Sequence, residues 1–459
     1  MEKELKALYE SVDRDFYLDQ TKSKNPLRKW FHLNRYRIAN SLVKAKYKKG
    51  YKILDLGCGS CDWNREHLDV FGVDLNKNML EAAKNEHRLT DYKIAEAHDT
   101  GLPSETFDIA TAFEFLEHMP NYEEVIDEAE RLLKPGGYFV ASVPYDVVFS
   151  LWQPLFLLHA LFQGYVLQKQ YYKNRCGHVN HFSIEAITNA FVKHGYSIEI
   201  VFDMRKFTIF LYAKKEGLHP ADPSPSYDDL TIIMPTLNEE KGLSKILPTL
   251  ISRYKDCSII ISDDSSKDST KEVALSLQYE KLTFIDRASR PIHGLTASVV
   301  EAAESVKTKH FIVMDADGQH PPEKIEEIVN IMRLGANIVV ASRIAVKKKW
   351  GSLRKMLSYM GTSLGKTSLL LRGKSYLSYD ILGGFFGCNS NFWNGCVPNQ
   401  EKKKHFRLRG YKVMFDLLKC APSGLEIEEV FYRFETPNAG TSKINLKVCL
   451  EYLKSCLLP

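Results

Sequence analysis

The sequence lacks a strong excess of charge of either sign. Its 62 lysines and arginines nearly balance 57 aspartates and glutamates, which leaves a formal net charge of +5 over 459 residues. So small an excess does not call for nucleic acid as a partner, and we expect none. Basic residues do gather in three runs, 44–49, 347–355 and 402–409, which could be solvated faces or contacts with anionic lipid.

Two further absences concern the compartment. The sequence begins M-E-K-E-L-K without an apolar core, so no signal peptide is expected. Cysteine is sparse and odd in number, with nine scattered over the chain, which favours a reducing compartment such as the cytoplasm. Cys58 and Cys61 form the only C-x-x-C pair, and they lie in a glycine loop where metal or redox chemistry is the minor interpretation.

Length and composition predict a folded protein of more than one domain. At 459 residues the chain exceeds one ordinary domain, and 44% hydrophobic with 26% charged residues is typical of folded proteins. Residues 214–229 read K-K-E-G-L-H-P-A-D-P-S-P-S-Y-D-D and show no apolar periodicity. We therefore predict two domains, residues 1–215 and 230–459, joined by a linker at 216–229.

The first domain opens with a strand that runs into a glycine-rich turn, Y-K-I-L-D-L-G-C-G-S-C at 51–61. Gly57 and Gly59 let the backbone turn tightly and approach a ligand. A second strand ends in Asp74, nineteen residues after Asp55, where an acid can take both ribose hydroxyls of an adenosine ligand. Three further blocks follow in order: H-D-T-G-L-P at 98–103, F-D-I-A-T-A-F-E-F-L-E-H at 107–118 and L-L-K-P-G-G-Y-F-V-A-S-V-P at 132–144.

Together these blocks resemble class I methyltransferases that use S-adenosylmethionine, over roughly residues 30–213. The resemblance implies a Rossmann-like, doubly wound α/β domain. It maps the cofactor turn onto Asp55, Gly57 and Gly59, the ribose acid onto Asp74 and the adenine-side acid onto Asp99. Cys61 stands at the family's third small position, which would narrow the loop without abolishing binding. The alternative is a Rossmann-like domain that has lost its ligand.

An apolar insertion interrupts the first domain. Residues 147–167 carry no charged side chain and are rich in Leu, Phe and Trp. The stretch is long enough to span a bilayer, but polar residues and Pro154 interrupt it, so we expect a helix or hairpin in the membrane interface or a buried cap over the substrate pocket. Both favour an apolar methyl acceptor. His178 and His181 could form a metal pair, but in similar methyltransferases such histidines more often shape the substrate side.

The second domain is organised around F-I-V-M-D-A-D-G-Q-H-P-P at 311–322. The apolar residues predict a buried strand, with carboxylates arriving where it ends. In an extended chain Asp315, Asp317 and Gln319 point the same way. Three oxygen ligands at the carboxyl end of a strand can hold Mg or Mn, and such an ion could neutralise a nucleotide diphosphate. Other apolar strands also end in polar residues, which predicts a parallel sheet with these residues at one edge.

This ordered set resembles family-2 glycosyltransferases of the GT-A fold, most of all dolichol-phosphate mannose synthases, from Leu230 to about Leu450. The resemblance implies a nucleotide-sugar donor of GDP-mannose or UDP-glucose type and a polyprenyl-phosphate or other lipid-linked acceptor. It assigns donor-binding residues, a metal set and basic residues toward the acceptor phosphate. They are Pro235, Asn238, Glu239, Asp263 and Asp264 for the donor, Asp315, Asp317 and Gln319 for the metal, and Arg343, Arg354 and Lys443 for the phosphate.

The second domain also departs from that family. Its D-I-L-G-G-F-F at 380–386 has Gly383 and Phe386 where the family has a serine and an arginine, and Pro437 replaces a further arginine. Donor, acceptor or both would then differ from those of dolichol-phosphate mannose synthesis. No transmembrane helix follows Lys443, so we expect a peripheral position on the cytoplasmic face of a membrane, by direct contact with its surface or through a separate membrane subunit.

The sequence thus predicts a bifunctional transferase made of two doubly wound α/β domains. The first would transfer methyl from S-adenosylmethionine, and the second would transfer a glycosyl group with Mg or Mn. One alternative is a methyltransferase whose altered second half only binds nucleotide sugar or lipid. Another is a scaffold with both sites silent, which the intact Asp55, Asp74, Asp315 and Asp317 argue against.

Overall fold

The computed structural model describes residues 21–147, 152–166, 168, 178–219, 225–346, 352–397, 406–434 and 446–457. The chain divides into two compact units, Met1–Asp222 and Pro223–Pro459. Each unit contains a seven-stranded mixed sheet with helices between the strands, so the prediction of two doubly wound α/β domains is confirmed. In the part of the chain that the structure describes, no helix combines the length and apolarity needed to cross a membrane.

The first unit is built on a sheet with the strand order β3-β2-β1-β4-β5-β7-β6. Strands β1 to β5 run parallel, whereas β7 is antiparallel to both β5 and β6. The strands are β1 Ile53–Leu56, β2 Val70–Asp74, β3 Asp91–Ile94, β4 Phe107–Phe113, β5 Leu133–Pro144, β6 Tyr196–Met204 and β7 Thr208–Lys215. Because β1 lies between β2 and β4, the carboxyl ends of all three meet at one edge.

Helices connect these strands and close the core of the first unit. They are α1 Pro26–Lys46, α2 Lys77–Asn85, α3 Tyr122–Leu132, α4 Trp152–Leu161 and α5 Ile184–Lys193, with a 3-10 turn at Leu116–His118 and a π-helical turn at Phe162–Val166. Helix α1 begins where Asn25 accepts hydrogen bonds from the amides of Leu27 and Arg28, and Pro26 stands at its first position. The described part of the apolar insertion is therefore helical.

The second unit has the strand order β10-β9-β8-β11-β13-β12-β14. Strand β13 is antiparallel to both of its neighbours, and all other pairs are parallel. The strands are β8 Leu230–Thr236, β9 Ser258–Asp263, β10 Leu282–Asp286, β11 His310–Val313, β12 Ile338–Val346, β13 Phe386–Asn389 and β14 Glu428–Phe434. The carboxyl ends of β8, β9 and β11 consequently gather at one edge of the sheet.

Eight helices pack around this sheet in the described ranges of the second unit. They are α6 Glu240–Arg253, α7 Thr270–Ser276, α8 Leu295–Glu304, α9 Lys324–Arg333, α10 Ser352–Leu371, α11 Ser390–Cys396, α12 Val413–Cys420 and α13 Leu446–Leu457. Close packing demands glycine at one point of β13, since a Cβ on Gly387 would lie 2.3 Å from the sulfur of Met332. The core thereby fixes β13 between β11 and β12.

Candidate active sites

The glycine turn after β1 leaves no room for a side chain at its first glycine. Gly57 has φ +65° and Gly59 has φ +48°, in the left-handed region that favours glycine. A Cβ on Gly57 would lie 2.1 Å from the Cδ2 atom of Phe115. The turn therefore depends on glycine for both its conformation and its closeness to the loop after β4.

Asp74 is bonded directly to this turn. Its Oδ2 accepts a hydrogen bond from the Gly59 amide at 2.8 Å, and its Oδ1 accepts one from the Asn76 amide at 2.8 Å. Burial raises the pKa of this carboxyl, while the backbone amides oppose that shift. Asp74, the acid predicted to bind the ribose, therefore links the end of β2 to the turn that follows β1.

Asp55 is held deeper in the unit. It is 2% exposed, and its carboxylate accepts from Trp63 Nε1 at 2.8 Å and from Thr111 Oγ1 at 2.6 Å. Burial raises its pKa to about 6 in spite of these donors. Both carboxylate oxygens accept hydrogen bonds from side chains of the same unit, so Asp55 is held in place at the end of β1 beside the glycine turn.

A cavity opens above these residues, with about 1130 Å³ of empty space including the part open to solvent. Gly57, Gly59 and Asp74 line it. Asp99 is exposed and is not among the lining residues, whereas Glu96, two residues after the end of β3, lines the cavity. Sequence reasoning missed Glu96, although it follows the end of β3 at the same edge of the sheet as Asp74 at the end of β2.

On another wall of the cavity, Arg35 of α1 meets the loop after β4. Arg35 Nη1 lies 3.2 Å from Glu114 Oε2, and Ser142 Oγ donates to Glu114 Oε1 at 2.9 Å. Burial raises the pKa of Glu114, and Arg35 opposes that shift. This wall of the cavity is therefore polar and charged.

His178 and His181 do not form a pair. The His178 ring lies 4.9 Å from that of His118 and stacks on Phe156 of α4 at 5.2 Å. His181 Nδ1 instead lies 2.5 Å from Asp146 Oδ2. Burial lowers the pKa of His178 well below its ordinary value, with help from His118. The two histidines thus belong to different contacts, and His178 lies against the inserted helix.

In the second unit, the predicted metal residues follow the end of β11. That strand ends at Val313, and the chain bends near Gly318, which has φ +77°, so the extended segment expected through Gln319 is shorter than predicted. The Gln319 amide donates to Asp317 Oδ1 at 3.0 Å and closes this bend. Asp315, Asp317 and Gln319 are nevertheless all partly exposed, and Ala316 between the two acids is buried.

His320 anchors the first of these acids. Its Nδ1 accepts from the Asp315 amide at 2.9 Å, and its ring stacks on Phe385 at 4.9 Å. Burial lowers the pKa of His320 to about 4, so the ring is neutral and can accept this bond. The sequence motif contained His320, but its anchoring role became visible only in the structure.

Arg343 leaves β12 and pairs with the altered block 380–386. Its Nε donates to Asp380 Oδ2 at 2.6 Å. Burial alone would raise the pKa of Asp380, yet Arg343 beside it holds that pKa below its ordinary value. Lys412 Nζ donates to the Leu382 carbonyl at 3.0 Å, which places a second cation beside the same block. Sequence reasoning included Asp380 in the altered block but gave it no role, and it missed Lys412.

Phe386 does not face this site. It opens β13, is 0% exposed and stands opposite Val313 and Val340. Gly384 lies nearer the acids, since a Cβ there would be 3.6 Å from Asp315 Oδ2. Replacing the family's arginine by phenylalanine has therefore placed an apolar side chain in the core.

Among the residues predicted to bind the donor, Asp264 directly follows β9 and accepts a hydrogen bond from the Gly294 amide at 2.7 Å. It also contacts His293 Nδ1 at 2.9 Å and pairs with the buried Arg287, another residue that sequence reasoning missed. Asp263 accepts from the Ser266 amide at 2.9 Å. Asp263 is thus held by its own loop, whereas Asp264 is held by residues that follow β10.

The loop after β8 is tied to the loop after β9. Asn238 has φ +56°, and its Oδ1 accepts from the Lys267 amide at 2.7 Å. The Glu239 amide donates to Thr270 Oγ1 at 3.0 Å, and Pro235 lies in register with Ser262. The structure thus brings Pro235, Asn238 and Glu239 beside Asp263 and Asp264.

Three residues assigned from the sequence fall outside this description. Arg354 lies on α10, but its side chain is not described. Lys443 and Pro437 lie outside the described residues. Their roles stay as predicted from the sequence.

Comparison with known proteins identifies both units. Residues 54–141 match the family model described as a methyltransferase domain, and residues 231–393 match the model of glycosyl transferase family 2. Dolichol-phosphate mannosyltransferase of Mycosarcoma maydis is 28% identical over 239 residues, which cover 49% of this chain and 76% of that protein. The enzyme of the same name from Saccharomyces cerevisiae is 26% identical over 242 residues, covering 49% of this chain and 85% of its own length.

The relatives of the first unit match over a shorter length. Ubiquinone biosynthesis O-methyltransferase of Vibrio cholerae is 35% identical over 120 residues, covering 24% of this chain and 49% of that protein. The chain thus spans about half the length of this relative. These matches place a methyltransferase domain before a glycosyltransferase domain, as the sequence motifs predicted. The chain is a transferase that carries a methyltransferase domain followed by a family 2 glycosyltransferase domain.

Proposed function

We propose that the chain is bifunctional, with methyl transfer from S-adenosylmethionine in the first unit and metal-dependent glycosyl transfer from a nucleotide sugar in the second. The observation that carries this proposal is the same in both units. Acids that follow adjacent parallel strands are fixed by backbone amides at one edge of the sheet, as Asp74 is by Gly59 and Asp264 is by Gly294. Ligands of open α/β sheets bind at such edges.

The first cavity fits an adenosyl cofactor. The left-handed turn at Gly57 exposes backbone to the cavity, and Asp74 lines it with an acid suited to ribose hydroxyls. Glu96 lines the cavity after the next strand and is the better placed acid for the far end of the ligand than Asp99. When bound, S-adenosylmethionine supplies the activated methyl group, and the chain supplies the orientation.

The second site fits a divalent ion with a diphosphate. Asp315 and Asp317 are partly exposed carboxylates on one loop, and oxygen donors of this kind suit Mg or Mn. The ion supplies charge that offsets a leaving diphosphate. A polyprenyl phosphate or other lipid-linked acceptor, like the acceptor named for the similar mannosyltransferases, is anionic at neutral pH and needs no strong general base.

Contact with a membrane surface follows from the inserted helix. Leu158, Leu161 and Phe162 are each more than half exposed, on a segment without charged residues. Exposed apolar side chains on such a helix favour the interfacial interpretation over a buried cap. We propose a peripheral position on the cytoplasmic face of a membrane, with a separate membrane subunit as the other means of attachment.

A second candidate function rests on the Arg343–Asp380 pair. Asp380 pairs with Arg343 and so offsets its charge, and the apolar Phe386 lies in the core where the sequence comparison leads one to expect an arginine. The second unit would then bind a nucleotide sugar or lipid without transferring the sugar, while the first unit still methylates.

The deciding experiment incubates the full chain with a membrane lipid extract, labelled nucleotide sugars and Mg or Mn, and separates the lipids by thin-layer chromatography. A labelled lipid that is lost with Asp317→Asn supports bifunctionality. Saturable binding of a nucleotide sugar without any labelled lipid supports the second candidate. Labelled S-adenosylmethionine in the same extract reports methyl transfer, which Gly57→Val should abolish and Asp317→Asn should leave intact.

A further inference from the structure

A cluster of three ligand-type side chains lies beside the cofactor cavity. One nitrogen or oxygen from each of Glu117, His118 and His178 lies within 4.8 Å of the others. Glu117 and His118 belong to the 3-10 turn after β4, and His178 comes sixty residues later. Neither the cofactor turn nor the acids assigned to the ribose and adenine includes any of the three.

The backbone holds this cluster together. The amides of Val179 and Asn180 donate to the Glu117 carbonyl at 2.9 Å and 3.0 Å. The Asn180 side chain also donates to the carbonyls of Leu116 at 3.2 Å and Met119 at 2.6 Å. Four hydrogen bonds therefore fix the segment that carries His178 against the turn that carries the other two side chains.

The Glu117 carboxylate gives a second, independent observation that points to a cation. The side chain is 1% exposed, and its Oε2 has no hydrogen-bond partner in the described part of the chain. A second, partly buried carboxylate, Glu114, lies near enough to repel it. A buried carboxylate oxygen without a donor is costly unless a proton or a cation compensates it.

The three ligand-type side chains suit a zinc-like metal ion. Two imidazoles and one carboxylate are the ligands of catalytic zinc sites, and they leave a fourth position open for water or substrate. The three ligand atoms lie within 4.8 Å of one another, so an inward shift of the side chains would suffice to form metal–ligand bonds of about 2.0–2.2 Å. Mg prefers oxygen ligands, so the set favours zinc over magnesium.

The open position would face the cofactor cavity, because His118 is one of the residues that line it together with Gly57 and Asp74. We propose that Glu117, His118 and His178 bind a divalent zinc-like ion that holds a hydroxyl group of the methyl acceptor beside the methyl donor. This inference rests on the proposed methyltransferase function and names its acceptor as an oxygen nucleophile.

The chemistry explains why an ion is useful at this position. The acceptor oxygen forms a bond to the methyl carbon, the bond from that carbon to sulfur breaks, and the electron pair of that bond stays on the sulfur, which becomes neutral. The hydroxyl proton passes to solvent. A divalent ion lowers the pKa of an oxygen bound to it, which makes the proton easier to lose at neutral pH.

The test uses the full chain carrying Asp317→Asn, so that the predicted metal site of the second unit does not compete. After treatment with chelator and desalting, Co²⁺ is titrated as a spectroscopic probe. We expect visible absorption bands that saturate at one equivalent. Glu117→Gln and His178→Ala should each weaken Co²⁺ binding by about 100-fold or more, because even residues behind the ligands typically contribute about 10–100-fold. His181→Ala is the matched control and should leave binding unchanged, because His181 contacts Asp146 instead.

Calorimetry with S-adenosylmethionine on each variant shows that the unit is folded and separates this inference from the proposed function. A chain that binds the cofactor but gives no cobalt bands, or bands that Glu117→Gln and His178→Ala leave unchanged, would overturn the inference alone. A chain that gives the bands but binds no cofactor would overturn the methyltransferase proposal. Catechol, added as a hydroxyl probe, should shift the bands, and unchanged bands would overturn the assignment of an oxygen acceptor.

Discussion

Replacing Gly57 by alanine should disable cofactor binding in the first unit while leaving the second unit intact. Two costs arise at this position. An L-residue with φ near +65° is strained by about 1–2 kcal/mol. A Cβ there would also lie 2.1 Å from the ring of Phe115, and forcing atoms into a packed site typically costs about 1–3 kcal/mol.

Together the two costs amount to about 2–5 kcal/mol, shared between the stability of the unit and its affinity for S-adenosylmethionine. Phe115 lines the cavity, so its displacement changes the site itself. We expect an affinity loss of at least about tenfold, which corresponds to about 1.4 kcal/mol. Calorimetry on the full chain measures the affinity, and thermal unfolding measures the stability.

Gly195→Ala is the matched control for the strain. Gly195 has φ +81° in the same unit, and no atom lies within 4 Å of a Cβ built on it. The control should lose stability from the backbone strain but keep its cofactor affinity. The reasoning is refuted if Gly57→Ala binds S-adenosylmethionine as tightly as Gly195→Ala does.

Three further predictions concern other parts of the chain. Asp317→Asn should lower glycosyl transfer roughly 100-fold or more and leave methyl transfer unchanged, and a chelator should have the same effect on the wild type. Glycosyl transfer that neither the substitution nor the chelator lowers would contradict the proposed metal site. Burial lowers the pKa of His310 to about 4, so the folded state binds fewer protons than the unfolded state between pH 4 and 6.5, and stability should fall as the pH falls through that window. His310→Phe should flatten this slope by up to about 1.4 kcal/mol per pH unit in urea unfolding, and an unchanged slope would contradict the neutral buried ring. Leu158→Ser with Phe162→Ser should weaken flotation with anionic liposomes, and equal flotation would rule out α4 as the contact.

The ends of these strands could be predicted from the sequence. Apolar runs followed by acids placed Asp74 and Asp264 at the carboxyl ends of their strands, and the glycine spacing located the turn at Gly57. The fold class followed from the same alternation of strands and helices. Such signals are local, because strand, turn and acid lie within a few residues of one another.

Contacts between residues far apart in the chain could not be predicted from the sequence. His178 meets Glu117 only because backbone amides join two segments sixty residues apart. The pairing of Arg343 with Asp380 depends on β13 running antiparallel between β11 and β12, an order that no local pattern reveals. Glu96 lines the cavity and Asp99 does not, a difference that depends on where β3 ends, and element boundaries are the least certain part of a sequence prediction.

The buried position of Phe386 has a consequence for how this enzyme could change. A single substitution to arginine would set a guanidinium opposite Val313 and Val340, within the hydrophobic core cluster that contains Phe386. An unpaired charge there costs several kcal/mol, comparable to the whole stability of many domains. Arginine at this position would therefore require other residues to open a path to solvent first, so a single substitution cannot supply a cation here without destabilising the core.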